Sequence, residues 1–264
     1  MSSKQAILVV SFGTSHEDTR EKTIGAIENH IKDTYPEMEV RRAFTSGMIL
    51  KVIKNRDGVN IDNVPKAMKR LIKNGYKNIF VQPTHILHGE EYDKMTKQLL
   101  SFSEQLESLT IGRPLLSQST DYEIVCNSIM HYFPKLKSDE VLVLMGHGTT
   151  HFADAAYAAL DYRFKALGFS QVFVGTVEGY PRLENVVRQI IRINPKKVIL
   201  FPLMIVAGDH AINDMASDEE DSWKRIFENE GYTVECVLKG LGELEEIRDL
   251  YLSHIAAEMK TDVR

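Results

Sequence analysis

The sequence predicts an α/β protein of two similar domains, each a parallel sheet flanked by helices, arising from an internal duplication. Three observations predict it. Leu8–His16 recurs 135 positions later as Val143–His151, with Gly13-Thr14 matched by Gly148-Thr149. Phe80–Glu91 recurs 119 positions later as Ile199–His210, with Pro83 over Pro202 and Gly89 over Gly208. Finally, short runs rich in Val, Ile and Phe alternate with longer stretches whose apolar residues fall at helical spacing, the pattern of parallel sheets crossed by helices.

Taken in order, Ala6–Ser11, Val40–Thr45, Asn78–Gln82, Val141–Met145, Gln171–Val177 and Val198–Leu203 read as strands. Their nearly continuous apolar character is that of strands covered on both faces. Ile24, Ile27 and Ile31 mark a helix after the first strand, and Ala155, Ala159, Tyr162 and Ala166 mark its counterpart in the second half. Gly75, Gly168 and Gly231 each close a helical stretch before a strand, which suits a left-handed C-cap. Turn residues at Gly112-Arg113-Pro114 place the domain boundary near Ser117–Tyr122, giving domains 1–120 and 121–264. A last amphipathic helix, Glu243–Lys260, is placed to pack back across the first domain.

Composition narrows the function classes. At 264 residues the chain accommodates two cores of about 120 residues. With 43% apolar and 26% charged residues it reads as globular. The net charge of −5 and the lack of a long basic run argue against a nucleic-acid partner. No apolar run approaches the roughly 20 residues of a membrane span, and Met1-Ser2-Ser3-Lys4 leads into a strand rather than a signal peptide. The expectation is a cytoplasmic protein. Cys126 and Cys236 have no metal-like spacing and are given no role.

In open α/β sheets, ligands bind beyond the carboxyl ends of the strands. His147, Glu178 and His210 each lie just past a strand of the second half, among Gly146, Gly148, Gly179 and Gly208, which let the backbone turn sharply. Two imidazoles and a carboxylate with open positions suit a divalent first-row metal held for reaction. The alternative is separate loop histidines, each satisfied by backbone hydrogen bonds. What favours a shared site is the repeat: the first half has Phe12 and Glu91 where the second has His147 and His210.

Other polar residues are more ambiguous. His151 reads as a cap or surface residue, whereas His85 and His88, beside Glu91, either line a cleft or are ordinary buried or solvated histidines. His210, Asp214 and Asp218 fall at i, i+4 and i+8 of a helix, so they form a carboxylate line or simply acidic residues favoured by the helix dipole. Several chemistries find no support. There is no G-x-x-x-x-G-K-[ST] phosphate loop and no G-x-S-x-G elbow, and Gly240-Leu241-Gly242-Glu243-Leu244-Glu245 fails the dinucleotide fingerprint at its third glycine.

Four segments carry a resemblance: Val10–Ser15, Arg42–Met48, Met145–Gly148 and the long Val206–Asp218. They resemble the CbiK-type anaerobic cobalt chelatases, class II chelatases of cobalamin biosynthesis, and the similarity extends over essentially the whole chain. The resemblance implies a bilobal chelatase fold with a tetrapyrrole in the cleft. It also implies insertion of Co(II) into sirohydrochlorin, or its precorrin-2-derived equivalent, with neither ATP nor an organic cofactor. By motif, the metal ligands fall on His147, Glu178 and His210, and His147 is also the proton acceptor. On the substrate side, Ser11, Thr14, Ser15, Thr45 and Ser46 have hydroxyls for the macrocycle's carboxylates, Phe12 an aromatic face for the ring and Glu91 a group to orient it. The partners expected are therefore sirohydrochlorin and a divalent metal, with homo-oligomerisation left open. The competing readings are a chelatase for Fe(II) or Ni(II), which ligand type does not separate from Co(II), and a haem or metal carrier without turnover.

Overall fold

The computed structural model describes residues 4–261. Two compact units are present: Gln118–Ile247 forms one, and the residues before and after it form the other. From Arg248 onward the final helix therefore belongs to the first unit.

In the first unit, β1 (Lys4–Ser11) leads through α1 (Glu17–Arg20), a π turn at Glu21–Gly25 and α2 (Ala26–Thr34) to β2 (Glu39–Phe44). Two helices, α3 (Gly47–Asp57) and α4 (Val64–Lys73), return the chain to β3 (Tyr76–Pro83), and α5 (Glu90–Leu100) precedes β4 (Ser108–Ile111). The second unit repeats the plan with α6 (Ser119–Tyr132), β5 (Glu140–Gly146), α7 (Ala155–Ala166), β6 (Val172–Thr176), α8 (Leu183–Ile193) and β7 (Lys197–Pro202). A π turn at Ala211–Met215, α9 (Trp223–Asn229) and β8 (Thr233–Cys236) complete it, before α10 (Glu245–Thr261).

Both sheets are four-stranded and parallel, in the orders β2-β1-β3-β4 and β6-β5-β7-β8. The duplication read in the sequence is thus present in the topology. It extends to single hydrogen bonds: Thr84 N–H donates to Val10 O and Leu203 N–H to Met145 O, both at 2.8 Å.

The central strands are apolar because helices cover both faces. All seven residues of β5 are buried, as are the last six of β1. Ala6, Leu8 and Val10 pack with Val64, Met68 and Leu71 of α4 and Met95 and Leu99 of α5. In the second unit Val141, Val143 and Met145 pack with Val186 and Ile190 of α8 and with Trp223 and Phe227 of α9. Burial of each such side chain stabilises the fold by about 1.5–3 kcal/mol. In α10, the buried Tyr251 hydroxyl donates to Thr84 O at 2.9 Å, tying this helix to the loop beyond β3.

Three details differ from the sequence expectation. The edge strands β4 and β8 were not legible, because each has only four residues, none fully buried, and neither has a strong apolar run. The inward face of α7 is Tyr157, Leu160 and Phe164, whereas Ala155, Ala159, Tyr162 and Ala166 form its solvent side. Four small or amphipathic residues mimic an apolar stripe, but the large side chains decide which face turns inward. The helix expected through His210, Asp214 and Asp218 is a single π turn ending at Met215, and Asp218 pairs with Lys224 at 2.6 Å.

Among the described residues no helix is long and apolar enough to cross a membrane. Both cysteines are free. Burial pushes the Cys126 thiol up to about 12, which keeps it an unreactive thiol.

Candidate functional site

The strand order places the site of the second unit. One crossover from the central strand β5 runs to β6 and the next runs to β7 on its other side, so the connections diverge beyond the carboxyl end of β5. Such a divergence leaves a crevice where ligands bind. His147 follows β5, Glu178 follows β6 and His210 stands at the start of the helical turn beyond β7.

Backbone hydrogen bonds set the first two side by side. The pairing of Gly146 with Thr176 ends the regular ladder, but Val177 N–H donates to Gly146 O at 3.0 Å and Glu178 N–H to His147 O at 2.8 Å. The strands thereby stay zipped for two more residues. Glycine makes this approach possible. Gly148 has φ +80°, and a Cβ there would stand 2.2 Å from Gly179 N. Gly146 accepts the Tyr157 ring so closely that a Cβ would meet Cε1 at 2.4 Å. Burial pushes the Tyr157 hydroxyl up to about 12, opposed by backbone hydrogen bonds from Gly148 and His147, so a neutral phenol underlies the His147 turn.

The two imidazoles stand perpendicular, with ring centroids 4.7 Å apart. His147 Nδ1 is 2.8 Å from Gly148 O, and a carbonyl only accepts, so the neutral ring carries its proton on Nδ1 and its lone pair on Nε2. His210 Nδ1 lies 2.5 Å from Asp214 Oδ2, which assigns the same tautomer. The π turn brings Asp214 back beneath His210, and π turns of this kind are frequent at functional sites. Fixing Nδ1 by a carbonyl or carboxylate orients an imidazole whose Nε2 is to ligate a metal or take a proton. Asp214 is thus an orienting residue that the helical spacing had suggested only as part of a carboxylate line.

Glu178 lies at the Nδ1 edge of His147, its Oε2 3.8 Å from that nitrogen, with a largely exposed side chain. Among the described residues no three His, Cys, Asp or Glu side chains stand ready to hold an ion together. The His147 Nε2 lone pair thus points away from the Nδ1 edge that the Glu178 carboxylate approaches.

In the first unit the repeat brings Phe12 to the place of His147 and Ser46 to that of Glu178, since Ser46 N–H donates to Phe12 O at 3.2 Å just as Glu178 N–H does to His147 O. Phe12 is 47% exposed and free to meet a ligand. Three of the expected donors are buried and serve the fold. Ser11 accepts from the Thr84 hydroxyl at 2.8 Å, Thr14 from His16 N–H at 3.2 Å, and Ser46 caps α3 by accepting from Ile49 N–H at 3.4 Å. Their burial was not legible because Ser and Thr serve equally as caps and as ligand donors.

Glu91 is the second residue of α5 and pairs with Lys94 at 2.8 Å. Burial raises its carboxyl, but the Lys94 ammonium, a hydrogen bond from Thr45 and the His85 ring together outweigh it, and the net shift is downward. His151 caps the short turn after His147, accepting from Ala153 N–H at 3.2 Å, whereas His88 is exposed and 3.2 Å from the Ser117 hydroxyl.

His85 has both ring nitrogens buried without a hydrogen-bond partner among the described residues. Burial pushes it down to about 4, against the opposite pull of the Glu91 carboxylate. An unfolded chain protonates this histidine near the ordinary value of about 6.5. Between those values only the unfolded state takes the proton, so stability is intact above about 6.5 and is lost as the pH falls toward 4. The expected loss reaches up to about 3 kcal/mol. His85→Gln should flatten that limb in urea melts from pH 7 to 4, and an unchanged limb would remove His85 as its cause.

The chain is similar to known proteins in sequence and in fold. The family described as cobalt chelatase (CbiK) matches residues 5–260. The sirohydrochlorin cobaltochelatase of Salmonella typhimurium is 42% identical over 252 residues, covering 96% of this chain and 95% of that protein. The sirohydrochlorin cobaltochelatase CbiKC of Nitratidesulfovibrio vulgaris is 32% identical over 257 residues, with 96% and 90% covered. Among solved structures, SirB from Bacillus subtilis with Fe3+ superposes with a TM-score of 0.66 at 12% identity, covering 98% of this chain and 97% of that one, a likeness of fold.

Proposed function

The chain belongs to the cobalt chelatase (CbiK) family, and from that premise we propose that it inserts Co(II) into sirohydrochlorin, a step of cobalamin biosynthesis, with His147, Glu178 and His210 receiving the metal. The observation that carries the site assignment is the perpendicular histidine pair, each ring with Nδ1 committed and Nε2 free. Two neutral imidazoles are ligands of the borderline kind that a divalent first-row metal takes, and Glu178 adds the negative charge.

The reaction takes up one Co(II) and releases two pyrrole protons. The protein therefore has to hold the ion loosely and accept protons. Partial exposure of His147, Glu178 and His210 lets ring nitrogens replace side-chain ligands one at a time. As its bond to the metal is given up, the His147 Nε2 lone pair becomes available for a pyrrole proton. Asp214 beneath His210 keeps that ring in the ligating tautomer. The substrate metal is the Lewis acid, and the reading includes neither nucleotide nor organic cofactor, with the enzyme acting in the cytoplasm.

The first unit contacts the macrocycle, through the exposed Phe12 face and the Glu91 carboxylate. Phe12→Ala should raise the KM for sirohydrochlorin about three- to tenfold, the value of one aromatic stacking contact. Glu91→Ala should act in the same direction, and both should leave Co(II) affinity unchanged. His210→Ala should do the reverse. Equal loss of Co(II) binding in Phe12→Ala and His210→Ala would remove this division of labour.

The function itself is tested by anaerobic assay with Co(II), Fe(II) and Ni(II), followed by the absorbance change of the macrocycle without added nucleotide. Multiple turnovers with Co(II) are expected. Stoichiometric binding without turnover would make the protein a carrier, and dependence on ATP would place it in another class of chelatase.

A further inference from the structure

We propose that Asp154 is a positioning residue that sets the spacing between the His147 and Glu178 loops; this rests on the assignment of both residues to the metal. Asp154 is the last residue of a short turn, Phe152–Asp154, and stands at the start of α7. An aspartate there would ordinarily cap its own helix. This one makes no side-chain cap. Its carboxylate instead reaches across two loops: Oδ1 accepts from Thr149 N–H at 3.0 Å and Oδ2 accepts from Tyr180 N–H at 2.7 Å. Thr149 lies two residues after His147, and Tyr180 lies two residues after Glu178.

The loops are thus joined twice. On the strand side, Glu178 N–H donates to His147 O. On the far side the join is the Asp154 carboxylate, and between the two lies the close passage of Gly148 against Gly179. Gly179 has its own part in the arrangement. A Cβ there would stand 2.0 Å from Asp154 Oδ1, so the carboxylate occupies the volume that any other residue at 179 would need. One acceptor with two oxygens, each on a different loop, fixes their separation as a single hydrogen bond does not. The strand ladder stops at Glu178, so Asp154 is the group that holds the continuation of both loops together.

The test uses the full chain under anaerobic conditions, with Co(II) titration, separate KM values for Co(II) and sirohydrochlorin, and thermal melts. Asp154→Ala should weaken Co(II) binding and raise the KM for Co(II) by about 10–100-fold, the usual cost of losing a partner that supports metal ligands. The KM for sirohydrochlorin should stay within about twofold. Asp154→Asn retains the shape but accepts only one of the two N–H groups, so its loss should be smaller than that of alanine. Gly179→Ala displaces the carboxylate and should reproduce the alanine phenotype, and adding it to Asp154→Ala should cost little more, the non-additivity of two changes acting on one contact.

If Asp154→Ala does not stay folded at the assay temperature, Asp154→Asn decides. Unchanged Co(II) binding in these variants, alongside its loss in His147→Ala, would overturn the positioning role and leave the metal assignment standing. So would equal losses toward Co(II) and sirohydrochlorin. Parental Co(II) binding in His147→Ala would overturn the assignment and this role with it.

Discussion

His147→Ala is expected to lower cobalt insertion by about a thousandfold or more and to weaken Co(II) binding, while leaving the fold intact. In the proposed mechanism the side chain has two tasks, each lost with the ring. General acid–base catalysis alone contributes roughly 10²–10⁴-fold, and loss of a ligand adds to it. The cost to stability is small, because the ring is 46% exposed and its hydrogen bond to Gly148 O is only partly buried. The measurement is single-turnover insertion with saturating Co(II), beside a melt. If insertion at saturating Co(II) recovers to within tenfold of the parent, His147 acts as a ligand only and the proton acceptor lies elsewhere.

Gly148→Ala should be nearly as damaging for a different reason. A left-handed conformation costs an L-residue about 1–2 kcal/mol. The added Cβ would also stand 2.2 Å from Gly179 N and 2.8 Å from Gly179 Cα, backbone atoms that no rotamer change moves aside. Relief requires the His147 and Glu178 loops to separate. Co(II) affinity should fall by about 100-fold, equivalent to about 2.7 kcal/mol, and the melting temperature should drop. Gly13→Ala, in the first unit, is the control, since φ is +102° and the clash there is with the Phe44 ring of that same unit. It should lower the melting temperature but spare Co(II) affinity. Parental Co(II) affinity in Gly148→Ala would mean that the close passage of the two loops does not matter to the metal.

The duplication made the fold largely legible before any coordinates. A repeat that preserves Gly13 and Gly148 with their following threonines also preserves the conformation they need, and both glycines have positive φ. Buried central strands were visible because parallel strands are apolar throughout. Two of the four edge strands were not: β4 and β8 have only four residues each and none fully buried, whereas the edge strands β2 and β6 were legible. The α7 face was misread because alanines at helical spacing fit either side of a helix, and the bulk of Tyr157 and Phe164 settled it.

At the candidate site, His147, Glu178 and His210 were singled out from their positions after strands, and the structure places the two histidine rings 4.7 Å apart. Their orienting groups were harder to find. The Gly148 carbonyl is invisible as a residue choice, and Asp214 was visible only as a carboxylate four residues along. Asp154 gave no signal at all, because an aspartate at a helix start is commonplace. Ser11, Thr14 and Ser46 were correctly placed near strand ends, but hydroxyls at such ends are consumed by caps and turns as readily as by ligands.

The central claim is that His147, Glu178 and His210 receive the substrate metal, and a crystal structure of the chain soaked anaerobically with Co(II) tests it most directly. The account predicts one ion bonded to Nε2 of both histidines at about 2.0–2.2 Å, with the Nδ1 contacts to Gly148 O and Asp214 retained and Glu178 turned toward the ion. Cobalt bound at another position, or through only one of the two imidazoles, would contradict it.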